Sequence, residues 1–392
     1  MTSPIIKVRD LKTRFFTEAG QVNAVEGVSF DINKGEVLSV VGESGSGKSV
    51  TGLSLMDLVE SPGEITDGEI WFHKPELAEE LGKEDGVVEN GYVNLRAVPQ
   101  TVRRSLCGTE LGMIFQDPGS GFNPTLTVGE QIAEAVESRR RIARGESYGM
   151  KDLVRDILSP RSSFVSDESY DEAVELLDRV NIPDPSVRVD DYPHEFSGGM
   201  LQRAMVAQAL ASDPTVLVAD EPTTGLDVTI QAGILELLEE LQAETGMSIF
   251  LITHNIGVVS NIADRTAVMY GGEFFEVGPS EQVLNQPENP YTKGLLNCLP
   301  DLTHDRETIE PIPGNVPSLL DHEMPKGCSF ADRCPSATEE CRETNPTLKP
   351  VMSSEAHTVA CIHADTVPEQ SDATTEQIGT PIISDGGDSQ NE

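Results

Sequence analysis

Positive charge is what this chain most lacks: ten lysines and eighteen arginines stand against 66 acidic residues in 392, for a formal net charge of −38. Nucleic acid is therefore not an expected partner, because binding a phosphate backbone takes clustered Lys and Arg that displace counterions. The acidic residues are dispersed along the chain, and acidity of this magnitude reads as adaptation to a salt-rich cytoplasm, of the kind found in halophilic archaea, where ions screen the self-repulsion. Long apolar runs are missing too: no stretch approaches the roughly 20 apolar residues of a spanning helix. Met1 to Asp10 lacks the pattern of a secretion signal, so the chain is expected to be soluble and to stay inside the cell. Cys-x-x-Cys pairs are absent. Six cysteines occur, Cys107, Cys298, Cys328, Cys334, Cys341 and Cys361, and the late cluster of four favours a metal site over disulfides in an intracellular chain. What is present is an apolar share of 38%, enough for one large or two modest cores.

Apolar and β-branched segments at Ile5 to Val8 and Val25 to Ile32 precede the run Val37 to Val41, which leads into a glycine-rich turn and a helix from about Lys48. Further apolar runs at Val216 to Ala219 and Ile249 to Thr253 flank a helix in which Ile230, Ile234, Leu237, Leu238 and Leu241 share one face. Such strands alternating with helices imply a parallel sheet covered on both sides. The charged, aperiodic stretches at about 73–108 and 139–169 read as surface insertions. Beyond Glu281 the chain becomes Pro-rich around the clustered cysteines, and after His363 it has no Lys, Arg or aromatic residue, so 364–392 reads as an acidic disordered tail.

The chemistry concentrates in the run Gly42, Glu43, Ser44, Gly45, Ser46, Gly47, Lys48 and Ser49, with Val50 following. Its glycines let backbone N–H groups and the positive end of the next helix face phosphate oxygens. Lys48 is placed to neutralise the β- and γ-phosphates of ATP, and Ser49 and Asp220 to hold Mg²⁺. Glu221 follows the metal carboxylate and reads as the base that activates the attacking water. A second small-residue helix start, Ser197, Gly198 and Gly199 before Met200, is another anion-binding element, and one phosphate chain cannot occupy both.

These runs, in this order, resemble the ATP-binding subunits of ABC transporters over roughly Ile5 to Gly278. The resemblance implies an α/β fold, a P-loop NTPase of ABC type: a mixed sheet core over residues 1–280 with a helical subdomain at about 117–212 and an antiparallel β subdomain. It implies that His254 is a switch histidine at the γ-phosphate. It also implies that Gln116 senses Mg²⁺ and water while contacting a membrane partner, that Ser197 to Met200 close over ATP held by the opposite subunit, and that Asp227 lies in a dimer-contact loop. Phe196 and Met200 stand where the family's usual Leu and Gln would be. An aromatic residue before the first core strand is expected to stack on adenine; Phe15 fits best, with Phe16 close behind.

Asp227-Val228-Thr229-Ile230-Gln231, Asn289-Pro290-Tyr291-Thr292, Gly327-Cys328 and Arg333-Cys334-Pro335 narrow the resemblance to the oligopeptide/dipeptide importers. They imply a small Cys-containing C-terminal module over 281–363. For Cys328, Cys334, Cys341 and Cys361 the resemblance implies a [4Fe-4S] cluster, with Zn²⁺ or unliganded thiols as alternatives; His357 and His363 keep a mixed site open. The implied protein is a peripheral ATPase on the cytoplasmic face of the membrane, paired with a second, non-identical ATP-binding subunit, two permease subunits and an extracellular peptide-binding protein. An importer of nickel or sugar, or a soluble non-transport ABC ATPase, remains the alternative.

Overall fold

The computed structural model describes residues 3–82, 86–145, 165–298 and 312–366. At its centre is an eight-stranded sheet in the order Lys349–Val351, Ser354–Val359, Glu273–Pro279, Arg265–Tyr270, Val37–Val41, Ser248–Thr253, Val216–Asp220 and Leu111–Ile114. From Arg265–Tyr270 to Leu111–Ile114 every neighbouring pair is parallel. Because both faces of these strands are covered, their residues need not alternate between apolar and polar. Instead they alternate between two cores. Leu217, Ala219, Ile249 and Leu251 enter the core shared with the helices, while Val216, Val218, Phe250 and Ile252 enter the core beneath the second sheet.

That second sheet is antiparallel, in the order Gly20–Asn33, Pro4–Thr17, Gly63–His73, Tyr92–Asn94 and Val88–Glu89. Its register pairs Ile6 with Ile32 and Val8 with Phe30, all buried. Phe30 stacks on Phe250 of the central sheet with centroids 5.4 Å apart, so the two sheets close on each other around the helix Lys48–Leu55.

Helices Val128–Ala143, Asp167–Arg179 and Gly198–Leu210 form the helical layer. The first opens on a reciprocal cap: Thr127 Oγ1 accepts from the Glu130 amide at 3.1 Å and Glu130 Oε2 accepts from the Thr127 amide at 2.9 Å. Helix Val228–Thr245 buries Ile234, Leu237, Leu238 and Leu241, the stripe visible in the sequence, with Ile230 packed partly against the same core.

The stretch expected as an insertion at 73–108 is knitted into the protein. It holds helices Pro75–Leu81 and Gln100–Thr109 and the strands that extend the antiparallel sheet beyond Trp71 to His73, with Ala78, Val93 and Val98 forming a small core. Of the stretch expected at 139–169, residues 146–164 lie outside the described residues, as do 367–392 of the tail. The C-terminal region is continuous with the central sheet, because Glu276 and Val277 pair with Val359 and Thr358. Val41, Val268, Tyr270, Phe275, Tyr291 and Phe330 share one cluster across that join. Among the described residues no helix is long and apolar enough to cross a membrane.

Candidate nucleotide-binding site

The P-loop runs from the end of strand Val37–Val41 into helix Lys48–Leu55. Gly47 takes φ 104°, and a Cβ there would sit 2.3 Å from the Ala24 carbonyl oxygen; one on Gly42 would sit 2.1 Å from that of Met269. Only glycine lets the loop pass so close to neighbouring backbone. Lys48 is buried, and its Nζ donates to the carbonyls of Gly42 at 2.9 Å and Glu43 at 2.8 Å. Burial pulls the ammonium below its ordinary pKa, against the raising effect of Glu221, Asp220 and Glu43. Ser44 and Gly45 are exposed at the rim, while the buried Ser46 hydroxyl has no hydrogen-bond partner.

Asp220 ends strand Val216–Asp220, and its Oδ1 accepts from Ser49 Oγ at 2.9 Å. Burial pushes this carboxyl up to about 6; the Ser49 hydroxyl opposes the shift and the charge of Glu221 adds to it. Two hard oxygens meeting at a P-loop fit Mg²⁺, which binds through few protein ligands and keeps the rest for phosphate and water.

Glu221 adopts φ 44°, unusual for a residue with a side chain. That turn carries its carboxylate off the strand end into a ring of polar groups. Its Oε2 accepts from Thr224 Oγ1 at 2.8 Å and Gln116 Nε2 at 3.1 Å, and His254 Nδ1 lies 3.1 Å away. Gln116 follows strand Leu111–Ile114 and His254 follows strand Ser248–Thr253, so adjacent parallel strands deliver the group to one point. His254 remains 58% exposed in its side chain, free to meet an incoming phosphate. Thr224, three residues beyond Glu221, is a member sequence reasoning missed; a hydroxyl in Thr223-Thr224 after the acidic pair was its signal.

Phe15 lies in strand Pro4–Thr17 opposite Val22 and Gly63 and is half-buried, while Phe16 is 50% exposed. The strand is tied to the P-loop helix by a 2.8 Å bond between Thr13 Oγ1 and Ser54 Oγ.

Ser197 caps helix Gly198–Leu210, its Oγ accepting from the Met200 amide at 3.3 Å, and Ser197 and Gly198 are exposed. Phe196 is buried. Asp227 caps helix Val228–Thr245 by accepting from the Ile230 amide at 3.0 Å. A Cβ on Gly199 would come within 2.8 Å of Ile230 Cγ2, so the small residue lets the two helix starts meet. The Ser-Gly-Gly run and the Asp227 loop thus share one stretch of surface.

Cys328, Cys334, Cys341 and Cys361 line one pocket with Phe275, Phe330 and His363, and none of the six cysteines forms a disulfide. The expected [4Fe-4S] cluster, and its Zn²⁺ alternative, are not supported. Among the described residues no group of three or more His, Cys, Asp or Glu is arranged to hold a metal ion. Burial pushes the Cys328 thiol up to about 11 and raises Cys334. Cys341 Sγ faces His363 Nε2 at 3.4 Å and the Thr338 amide at 3.5 Å.

The ABC transporter family matches residues 25–224, and the family described as "Oligopeptide/dipeptide transporter, C-terminal region" matches residues 275–341. The chain is 42% identical over 358 residues, 91% of its length and 94% of the relative's, to the dipeptide transport ATP-binding protein DppD of Bacillus subtilis. It is 40% identical over 344 residues, 88% of its length and 92% of the relative's, to DppD of Escherichia coli. In fold it resembles the ATP-binding cassette MJ0796, solved as a dimer in a post-hydrolysis state with ADP and Pi, at TM-score 0.53 and 22% identity, covering 70% of this chain and 98% of that one. With a P-loop, a paired Ser49 and Asp220 and a Glu221 ringed by Gln116, Thr224 and His254, the chain belongs to the ATP-binding proteins of the ABC transporter family, ATPases coupled to transport, and carries the C-terminal region of its oligopeptide/dipeptide branch.

Proposed function

We propose that the protein hydrolyses ATP to drive import of di- or oligopeptides, as a peripheral subunit on the cytoplasmic face of the membrane. The observation that carries this reading is the convergence of Gln116, Thr224 and His254 on one oxygen of Glu221 beside the Ser49–Asp220 pair. In it Lys48 and the amides of residues 44–49 hold the phosphates, Ser49 and Asp220 hold Mg²⁺ with Gln116 close by, and Phe15 stacks on adenine. Mg²⁺ supplies charge neutralisation at the phosphate oxygens. Glu221 takes the proton of the attacking water, and His254 donates to the γ-phosphate. Ser197, Gly198, Gly199 and Met200 close over nucleotide held by a second, non-identical ATP-binding subunit, with Asp227 at the contact. ATP bridging two chains holds them together, and hydrolysis removes the bridge.

The peptide assignment rests on the matched C-terminal region and on the DppD relatives. Two permease subunits and an extracellular peptide-binding protein complete the assembly. The test is reconstitution of the chain with its permeases in vesicles: peptide-loaded binding protein is expected to stimulate ATP hydrolysis. Stimulation by nickel or sugar instead would make this an importer of another solute. Hydrolysis indifferent to permeases but raised by DNA or ribosomes would remove transport altogether. The net charge of −38 further supports a salt-rich cytoplasm as the setting in which the assembly works.

A further inference from the structure

Glu43, in the P-loop, is held from outside the loop at both its carboxylate and its amide. Its carboxylate is gripped by both ends of the Arg333 guanidinium: Nη1 donates to Oε2 at 2.6 Å and Nη2 to Oε1 at 3.0 Å. Its amide donates to the Tyr291 hydroxyl at 2.9 Å. Its carbonyl accepts from Lys48 Nζ at 2.8 Å. Tyr291 and Arg333 both come from the C-terminal region, 248 and 290 residues downstream, in the runs Asn289-Pro290-Tyr291-Thr292 and Arg333-Cys334-Pro335.

Neither is a surface contact. Arg333 is 7% exposed, and the rest of its guanidinium is used as fully: Nη1 also donates to the Tyr270 hydroxyl at 3.1 Å and Nε to the Pro313 carbonyl at 2.9 Å. A bidentate, charge-assisted fork of this kind fixes orientation as well as distance. Tyr291 is fully buried at the start of helix Pro290–Asn297, whose Asn289 cap donates through Nδ2 to the Ala360 carbonyl at 2.9 Å. The buried Glu276 carboxylate accepts from the Glu288 and Asn289 amides at 2.7 and 3.2 Å and meets His357 Nε2 at 2.7 Å. Two independent anchors, one charged and one neutral, thus end on a single residue of the loop, one on its side chain and one on its amide.

We propose that Arg333 and Tyr291 are positioning residues for the nucleotide: through Glu43 they set the two peptide planes that flank it, whose Gly42 and Glu43 carbonyls accept from Lys48 Nζ, and aim the following amides, which makes the C-terminal region a structural part of the phosphate site. The proposal deepens the ATP-binding reading above and rests on it. An untethered Glu43 peptide can rotate, and the loop must then be ordered by ATP itself, so the cost falls on binding. The chemical step is spared, because Glu221 lies on another strand.

The test measures KM for ATP and kcat in the full-length protein for Arg333→Gln, Arg333→Lys, Glu43→Gln, Tyr291→Phe and the Arg333→Gln/Glu43→Gln pair, with thermal melts alongside. Arg333→Gln and Glu43→Gln are expected to raise KM about tenfold with kcat within about twofold. Arg333→Lys should recover part of the loss, Tyr291→Phe should raise KM more modestly, and the pair should be no worse than the worse single change. A merely structural role would lower the melting temperature and the active fraction while leaving KM unchanged, and that result overturns the proposal, as do additive effects in the pair. If Arg333→Gln does not fold, Glu43→Gln and Tyr291→Phe decide alone, since each removes one tether and keeps the side chain's volume. Failure of the unaltered protein to bind ATP would instead refute the functional reading.

Discussion

Replacing Glu221 by Gln isolates the chemistry from the architecture. The amide has the shape of the carboxylate, and its oxygen can still accept from Thr224 Oγ1 at 2.8 Å and Gln116 Nε2 at 3.1 Å, so the ring around the site should survive. The backbone cost of φ 44° is the same for Gln as for Glu, which leaves folding stability nearly unchanged. What disappears is the negative charge and the proton acceptor. A positioned base contributes about 10² to 10⁴ in rate, or roughly 2.7 to 5.5 kcal/mol of barrier. ATP affinity should hold or improve, because an anion near the phosphates is removed while Lys48, Ser49 and Asp220 are untouched. Single-turnover hydrolysis at saturating Mg-ATP, paired with an equilibrium nucleotide titration, separates the two quantities. Turnover within about threefold of the parent, at preserved affinity, would refute the assignment of Glu221 as base. Loss of binding in a folded variant would show that the carboxylate holds the loop instead.

Gly47→Ala forces a Cβ to within 2.3 Å of the Ala24 carbonyl at φ 104°; about 2–4 kcal/mol of stability should be lost together with nucleotide binding, read by denaturant melts and ATP titration. With a net charge of −38, the melting temperature should rise as KCl increases from about 0.1 M to about 2 M, where the Debye length falls below roughly 3 Å; a flat response would refute salt adaptation. Burial pushes the Cys107 thiol from 9.0 up to about 11, so at pH 8 its thiolate should be about 100-fold scarcer than in the unfolded chain. Timed alkylation read by peptide mass spectrometry should show that protection, and it should vanish in denaturant.

The central strands and the nucleotide site were legible because their signals are local. Val37 to Val41, Val216 to Ala219 and Ile249 to Thr253 are apolar apart from the buried Ser39 and Thr253 because both of their faces are covered, and the structure sends alternate residues into separate cores. The chemistry-bearing residues sit at or just past the carboxyl ends of those strands, where a parallel sheet must deliver them to one edge. The stretch at 73–108 was not legible. Its strands Val88–Glu89 and Tyr92–Asn94 are two and three residues long, too short to show a period, and they exist because the edge strand ending at His73 offers unpaired backbone groups. The surroundings of the cysteine cluster were not legible for a related reason. Spacing along the chain shows that thiols can meet, but burial among Phe275 and Phe330 is a property of the folded surroundings.

Glu43 shows the limit most sharply. In the sequence it is one acid among 66, set in a loop whose glycines and lysine account for phosphate binding without it. Its carboxylate gains a purpose only when the chain brings Arg333 to it across 290 positions, and that requires the C-terminal hairpin to extend the central sheet from Glu276 and Val277. The same continuity brings the Pro290-Tyr291-Thr292 and Arg333-Cys334-Pro335 runs against the Gly-Glu-Ser of the P-loop, so in this chain neither half carries its meaning alone. Removing the acid would leave the buried Arg333 guanidinium without its counter-charge, a defect that costs more than removing both partners together.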